Sequence, residues 1–420
     1  MNGYIVIEVL IAFIGIILVI AGPIILTVFP VIVRKQVAER SYLGYSENGS
    51  YNEMTLKWIE PPYFMALQVW IYSVENVEDV IRKGSFPKLV EKGPYTFIQH
   101  QKKTKVVFMY NDTQVLYRNN QSYLYNSSLS CSHCSLADKV TIPSPVFQAK
   151  PFQIMFDGFE DPIIAAVCKL PYLKSVCEAG NIPKKMGFFY GQNGKDYGEL
   201  LVDTGLVNIT NLGRVYQYNG ATKLPDSMWH STEARMINGT DQIFPPGLSV
   251  SDRLYMFLGQ LKRSIYLRYK EKVEVEGIPA WRYIMPPELY DPKEPENAGF
   301  CSPETPTFFD NLTQPDGCLP KGFLDIGSTY IGSPRVYLSG SHFYYSPEEV
   351  YKFYDGFTQP SEEVDETQFD LEPDQNQIAS YFHFGYFILL HFIFIQNTGV
   401  VLRVNQRSQI NVGMLQGNLK

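Results

Sequence analysis

The stretch Tyr95-Thr96-Phe97-Ile98-Gln99-His100-Gln101-Lys102-Lys103-Thr104-Lys105-Val106-Val107-Phe108-Met109-Tyr110 decides the fold class. It holds two short runs, 95–98 and 105–110, of the β-branched and aromatic residues that suit a pleated, half-buried surface. The basic cluster 101–105 between them reads as an exposed turn leading into a strand, with contact to an anionic ligand or lipid headgroup as the alternative. Similar runs recur at 188–190, 215–218, 265–269 and 336–338, each bounded by Gly, Pro, Asn or Asp. That spacing predicts a β-barrel or sandwich. Asn76 before 77–83 and Ser346 before 347–355 are helix-start residues with acidic first turns, so a few short helices are expected.

Composition agrees with a mainly β body, since 29 Tyr, 27 Phe, 31 Gly and 28 Pro stand against 19% charged residues. The formal net charge is −7, which makes nucleic acid a poor partner. Residues 9–33 contain no charged side chain, and 25 residues at 1.5 Å each cover a hydrocarbon core of roughly 30 Å. We read this run as an uncleaved transmembrane anchor preceded by a short cytosolic segment, 1–8. A cleaved signal peptide is disfavoured, because the run is long, no Lys or Arg precedes it and Glu8 sits where positive charge belongs.

Arg34, Lys35 and Arg40 after the span would by themselves hold that side in the cytosol. Against them stand seven Asn-x-Ser/Thr sequons, at Asn48, Asn111, Asn120, Asn126, Asn208, Asn238 and Asn311. Only lumenal or extracellular chain is glycosylated, so 34–373 is expected outside the cytosol as one domain. Six cysteines in that body, Cys131, Cys134, Cys168, Cys177, Cys301 and Cys318, read as disulfides. Cys131-Ser-His-Cys134 has the spacing of half a zinc site or of a redox pair, but no second Cys-x-x-Cys follows, and local bridges that staple loops are the preferred reading.

Signs of catalysis are missing from the sequence. There is no Gly-x-Ser-x-Gly elbow, no His-Glu-x-x-His and no phosphate or dinucleotide loop, and no cofactor or metal is implied. His383 and His391 sit in an aromatic run where a packed or interfacial role is expected. The acidic run 362–366 lacks the spaced ligands of a calcium loop and reads as solvated.

Several segments in order, Glu91-Lys92-Gly93-Pro94-Tyr95-Thr96-Phe97, Phe156-Asp157-Gly158-Phe159-Glu160-Asp161-Pro162, Gly187-Phe188-Phe189-Tyr190, Met236-Ile237-Asn238-Gly239-Thr240-Asp241, Arg263-Ser264-Ile265-Tyr266, Asn297-Ala298-Gly299-Phe300-Cys301 and Asp370-Leu371-Glu372-Pro373, resemble the class B scavenger receptor family. The resemblance implies an antiparallel β-barrel ectodomain with short helices and an internal apolar tunnel that binds fatty acids, sterols or phospholipids and passes them to the membrane. Its lining residues cannot be named from the sequence. Cys301 and Cys318 match a family disulfide, whereas Lys262 stands where another family cysteine is common. Local pairs Cys168 with Cys177 and Cys131 with Cys134 are expected for the rest. The resemblance also implies a receptor at the plasma membrane or the lysosomal membrane, not an enzyme.

Two departures bear on partners. The family's long helical hairpin, which receives protein ligands, should lie between Thr141-Ile142-Pro143 and Phe156, yet only residues 144–155 intervene. Binding of lipoprotein or protein cargo is therefore in doubt. Residues 374–396 separate Asp370-Leu371-Glu372-Pro373 from Asn397-Thr398-Gly399-Val400, which the family joins closely. Within them 378–395 is long and apolar enough for a second span. The preferred alternative is an insertion foreign to the fold, since 399–404 and 409–412 resemble ectodomain strands, leaving 397–420 as a shortened remainder of the ectodomain.

Overall fold

The computed structural model describes residues 13, 28, 31–32, 41–63, 65–143, 146–179, 184–301, 318–330, 336–352, 354–372 and 401–412. Of the expected anchor only Phe13, Val28, Val31 and Ile32 fall in this set; all four are helical and exposed. Among the described residues no helix is long and apolar enough to cross a membrane. The rest of 9–33, Asn311, His383, His391 and the apolar stretch 374–396 lie outside the described residues.

The architecture is mainly β. Five antiparallel strands, β1 (Met65–Val74), β2 (Leu89–Met109), β3 (Gln114–Tyr125), β6 (Lys195–Asp203) and β7 (Val215–Tyr218), form the first sheet in the order β1-β2-β3-β6-β7. The second runs β14-β13-β10-β9-β8, from β8 (Leu254–Leu258), β9 (Arg263–Val275), β10 (Ile278–Ile284), β13 (Gln368–Leu371) and β14 (Val401–Asn405). A third sheet, β11-β12-β15, joins β11 (Phe323–Asp325) and β12 (Val336–Ser339) to β15 (Gln409–Val412). The hairpin of β4 (Val140–Pro143) and β5 (Val146–Ala149) occupies the place where the family's long helical insertion was expected. Among the described residues no sheet closes on itself into a barrel.

Burial follows the period of two along the strands. β3 buries Val115, Tyr117, Asn119, Gln121 and Tyr123 and turns the residues between them outward. The apolar core has two main parts. Leu254 and Met256 of β8 pack with Ile265, Leu267, Tyr283, Phe369 and Leu371 against Leu324, Val336 and Leu338 of the third sheet. Phe257, the next residue of β8, points the other way and joins Val115, Tyr117, Leu200 and Val202 of the first sheet. One short strand thus serves both cores.

Helices are few and short. Helix α1 (Glu53–Ile59) starts where Asn52 Oδ1 accepts the Thr55 amide at 2.8 Å, and it buries Trp58. Helix α2 (Val77–Lys83) lies where the sequence places a helix and ends on left-handed Gly84. Helices α3 (Pro162–Val167) and α4 (Pro171–Ala179) are joined by the Cys168–Cys177 disulfide. Disulfides also join Cys131 to Cys134 and Cys301 to Cys318.

Three sequence expectations are corrected here. Residues 347–355 form only a 3₁₀ turn, Glu348–Val350, because Val350, Tyr351 and Phe357 pack with Phe343 and leave no continuous helical face. Residues 188–190 form a turn rather than a strand: the Phe188 and Phe189 amides donate to Ile154 O and Met155 O at 3.0 and 2.7 Å, so their backbone is already satisfied. The cluster 101–105 is no turn. Residues 101–104 continue β2 in register with β3, the register shifts after Thr104, and Lys103 is only 3% exposed.

The second sheet is pinned by Asp370. Its carboxylate is 1% exposed and accepts Arg282 Nε at 2.8 Å and Nη2 at 3.0 Å from β10, and Arg403 Nε at 2.8 Å from β14. These three residues stand opposite one another across the sheet. The two guanidinium groups hold the Asp370 carboxyl below its usual range against the opposing effect of burial. Replacing Asp370 by Asn removes the buried charge that both cations share and leaves Arg282 only its longer contact with Glu271 at 3.5 Å, and chemical unfolding should show a loss of about 3 kcal/mol. Arg403→Ala removes a cation that is 42% exposed and should cost under about 1 kcal/mol.

Candidate functional site

The inner face of the first sheet changes character along its length. At one end Tyr95, Phe97 and Tyr123 stack with Phe156 and Phe189, with Phe97 to Phe156 at 5.1 Å and Tyr123 to Phe156 at 5.0 Å between ring centroids. At the other end Val115 and Tyr117 meet Trp58 of α1, whose indole stands edge-on to Tyr117 at 4.6 Å. Between them the register sets Gln101 opposite Gln121 and Lys103 opposite Asn119. A polar band therefore crosses an aromatic wall.

Each member of the band is held by its neighbours. Lys103 Nζ donates to Gln242 Oε1 at 2.8 Å, Gln242 Nε2 donates to Gln101 Oε1 at 2.9 Å, and Asn119 Nδ2 donates to the same oxygen at 3.2 Å. The Tyr117 hydroxyl donates to Asp241 Oδ2 at 2.5 Å. Lys103 also lies 5.3 Å from the centre of the Trp58 ring. Among the described residues, the buried oxygens Asn119 Oδ1 and, on the neighbouring segment, Thr240 Oγ1 have no hydrogen-bond partner.

The segment that carries Thr240, Asp241 and Gln242 is placed by a glycine. Gly239 has φ +89°, and a Cβ there would fall 2.1 Å from the Tyr255 carbonyl of β8. This approach lets Thr240 N donate to Tyr255 O at 3.0 Å and Phe257 N donate to Thr240 O at 2.9 Å. Asp241 and Gln242 are thereby set against β2 and β3.

Electrostatics follow from the dryness of the band. Burial pushes the Lys103 ammonium down to about 8, opposed in part by Asp241. Burial likewise raises the Asp241 carboxyl, with Tyr117 and Lys103 pulling it back. The Tyr117 hydroxyl is raised far above its usual range.

A second polar centre joins distant segments. His342 Nδ1 lies 2.6 Å from Asp365 Oδ1, and Nε2 lies 3.5 Å from Glu91 Oε1, with Tyr72 and Phe357 edge-on to the ring. Asp365 belongs to helix α5 (Glu362–Asp365), and it and Glu366 are almost fully buried. The acidic run 362–366 is solvated only in its first half: Glu362, Glu363 and Val364 are exposed, whereas Asp365 meets His342 and Glu366 takes Lys270 at 2.7 Å. Among the described residues no cluster of His, Cys, Asp and Glu could hold a metal ion.

Of the sequons, Asn48, Asn111, Asn208 and Asn238 are exposed, and Asn120 and Asn126 are half-buried. The Oδ1 atoms of Asn48, Asn126 and Asn208 accept the hydroxyl two residues on at 2.7, 2.7 and 2.8 Å, compact turns on the surface. Sequence reasoning did not find the polar band. The signal was there in the alternation, since Gln101 and Lys103 share the parity of Tyr95 and Phe97.

A disulfide-bonded β protein with a polar band inside an aromatic wall is the class that fold and site define. Residues 13–153 and 144–377 match the sequence profile of the CD36 family, and the chain belongs to that family, the class B scavenger receptors. It is similar to mouse lysosome membrane protein 2, with 28% identity over 382 residues covering 84% of this chain and 70% of that protein. An uncharacterized protein of Caenorhabditis elegans is 26% identical over 487 aligned positions, covering 95% of this chain and 82% of its own. Pig scavenger receptor class B member 1 is 27% identical over 366 residues, 79% of this chain and 65% of that protein.

The His342 centre gives a pH signature. Glu91 first, and Asp365 with it, push the imidazole from 6.5 up to about 9 against the effect of burial. A raised folded-state value means stability fully present below pH 6.5 and lost as pH rises through about 9. The stability difference between the native protein and His342→Gln, followed by thermal unfolding from pH 5 to 10, should be flat at acid pH and shrink across that window. A difference that grows towards pH 10 would show that His342 is not held as a cation.

Proposed function

We propose that this chain is a membrane-anchored, glycosylated receptor that takes lipids, whether fatty acids, sterols or phospholipids, between its sheets and passes them through an ectodomain tunnel to the membrane. The observation that carries the reading is the inner face of the first sheet. Its aromatic wall suits an apolar chain, each buried CH₂ gaining about 0.8 kcal/mol. The polar band, in which Asn119 Oδ1 has no partner among the described residues, suits a headgroup. Membership of the class B scavenger receptors supports the same reading.

On this proposal residues 9–33 are the anchor, and the sequon-bearing body, Asn311 included, faces the lumen or the outside, at the plasma membrane or the lysosomal membrane. Pairing of β14 with β13 and of β15 with β12 supports treating 401–412 as part of that body, with 374–396 as an insertion. Mass spectrometry of material co-purifying with the detergent-extracted protein should find lipid near one per chain, and protein free of lipid after mild purification would overturn the proposal. Enzymatic deglycosylation should lower the apparent mass of protein from animal cells in several steps, and an unshifted band would refute the topology.

A trafficking receptor for a protein cargo is the second reading. It is favoured by the α3–α4 pair, which is stapled by Cys168–Cys177 and leaves Leu170, Tyr172 and Val176 exposed, Tyr172 by 91%. A stoichiometric protein in place of lipid in the purified material would decide for it.

A further inference from the structure

We propose that Lys103 is a covalent site for apolar aldehydes, which condense with its amine inside the fold to give a lysine imine. This rests on the reading that lipids enter between the sheets, since Lys103 is 3% exposed and only a ligand already inside can reach it.

Four observations carry the assignment. A structural role does not need an ammonium here: Nζ has three protons and the structure gives it one hydrogen-bond acceptor, Gln242 Oε1. The cation is otherwise opposed only by the charge of Asp241 and the face of Trp58. Asn119 Oδ1, a member of the same band, has no partner among the described residues, which leaves hydrogen-bonding capacity for a further polar atom. Tyr123 and Phe156 pack beside the band and make its surroundings apolar.

Charge decides between ligand classes. A carboxylate brought to the band would add a second anion beside Asp241 and leave a single cation between them. A carbonyl brings no charge. Its imine, once protonated, keeps the single positive charge that Asp241 and the Trp58 ring already balance.

The chemistry balances without any oxidant or reductant. The Nζ lone pair adds to the carbonyl carbon, and a proton passes from nitrogen to oxygen to give the carbinolamine. The C–O bond then breaks with loss of water as the C=N bond forms, so that aldehyde and amine yield imine and water. The first step needs neutral amine, and burial holds the Lys103 ammonium near 8 rather than 10.5. We assign the return of a proton to the leaving oxygen to Asp241, whose carboxyl burial raises and whose charge acts on Lys103.

The test uses the full-length protein in detergent at pH 7.4, incubated with hexadecanal and cyanoborohydride and then digested for peptide mass spectrometry. The expected result is a saturable reduced adduct on Lys103, formed on the order of tenfold faster than on exposed Lys102 and Lys105 of the same strand. Excess palmitate should suppress it, and Asp241→Asn should slow it. Equal labelling of Lys102, Lys103 and Lys105 would overturn the proposal. Palmitate binding without a Lys103 adduct would also overturn it and leave the lipid-binding reading standing. Failure of both lipids to bind would overturn both.

Discussion

Asp370 is the point on which the second half of the chain closes. A carboxylate on the inner strand β13 is expensive to bury alone, and it is tolerated because guanidinium groups reach it from the strands on both sides. The neighbouring Leu371 is fully buried in the core between the second and third sheets. One residue therefore orders three strands by charge while the next fastens them by packing. Because Arg403 lies on β14, the same contact recruits chain beyond residues 374–396, and β15 then completes the third sheet beside β12. Charge on Asp370 and the apolar contacts of Val336 and Leu338 act on the same register.

The first sheet solves the opposite problem, keeping polar groups on a face that is otherwise aromatic. It does so with side chains that satisfy one another in sequence, from Lys103 through Gln242 to Gln101 and Asn119. The network depends on residues far apart in the chain, and Gly239 is what lets them meet, because any Cβ there would collide with the backbone of β8. The Asn119 carbonyl oxygen is left without a hydrogen-bond partner among the described residues, one of several buried polar atoms so left, and it is the one that lies within this network.

Much of this was legible in the sequence where local chemistry decides the outcome. The β runs at 95–98, 215–218 and 336–338 are strands because β-branched and aromatic side chains at period two suit one buried face. The acidic first turn marks α2 for similarly local reasons, whereas the Asn76 side chain does not cap the helix and instead bonds Phe86 O and Lys88 N. What was not legible depended on partners distant in sequence. A run of three lysines reads as solvated until β3 is placed beside it and Asn119 is found opposite Lys103. Glu362-Glu363-Val364-Asp365-Glu366 reads as a surface loop until Lys270 and His342 arrive from other segments to neutralise it. The turn at 188–190 misleads for the converse reason: its phenylalanines are as apolar as a strand's, but its amides are taken by carbonyls of residues 154 and 155.

The contrast between adjacent lysines states the physical logic of the site most compactly. Lys102 and Lys103 are chemically identical and one residue apart, so composition cannot distinguish them. The pleat sends Lys102 to the surface, where it meets Glu60 at 2.7 Å in solvent and contributes little. It sends Lys103 inward, where loss of water lowers its proton affinity and every neighbouring dipole counts for more. A one-residue change of register would exchange the two, placing Lys102 beside Trp58 and carrying Tyr95 and Phe97 to the outside. The aromatic wall that fixes the register of β2 is thus also what holds the amine in the interior, and the apolar and polar parts of the site are consequences of one strand alignment.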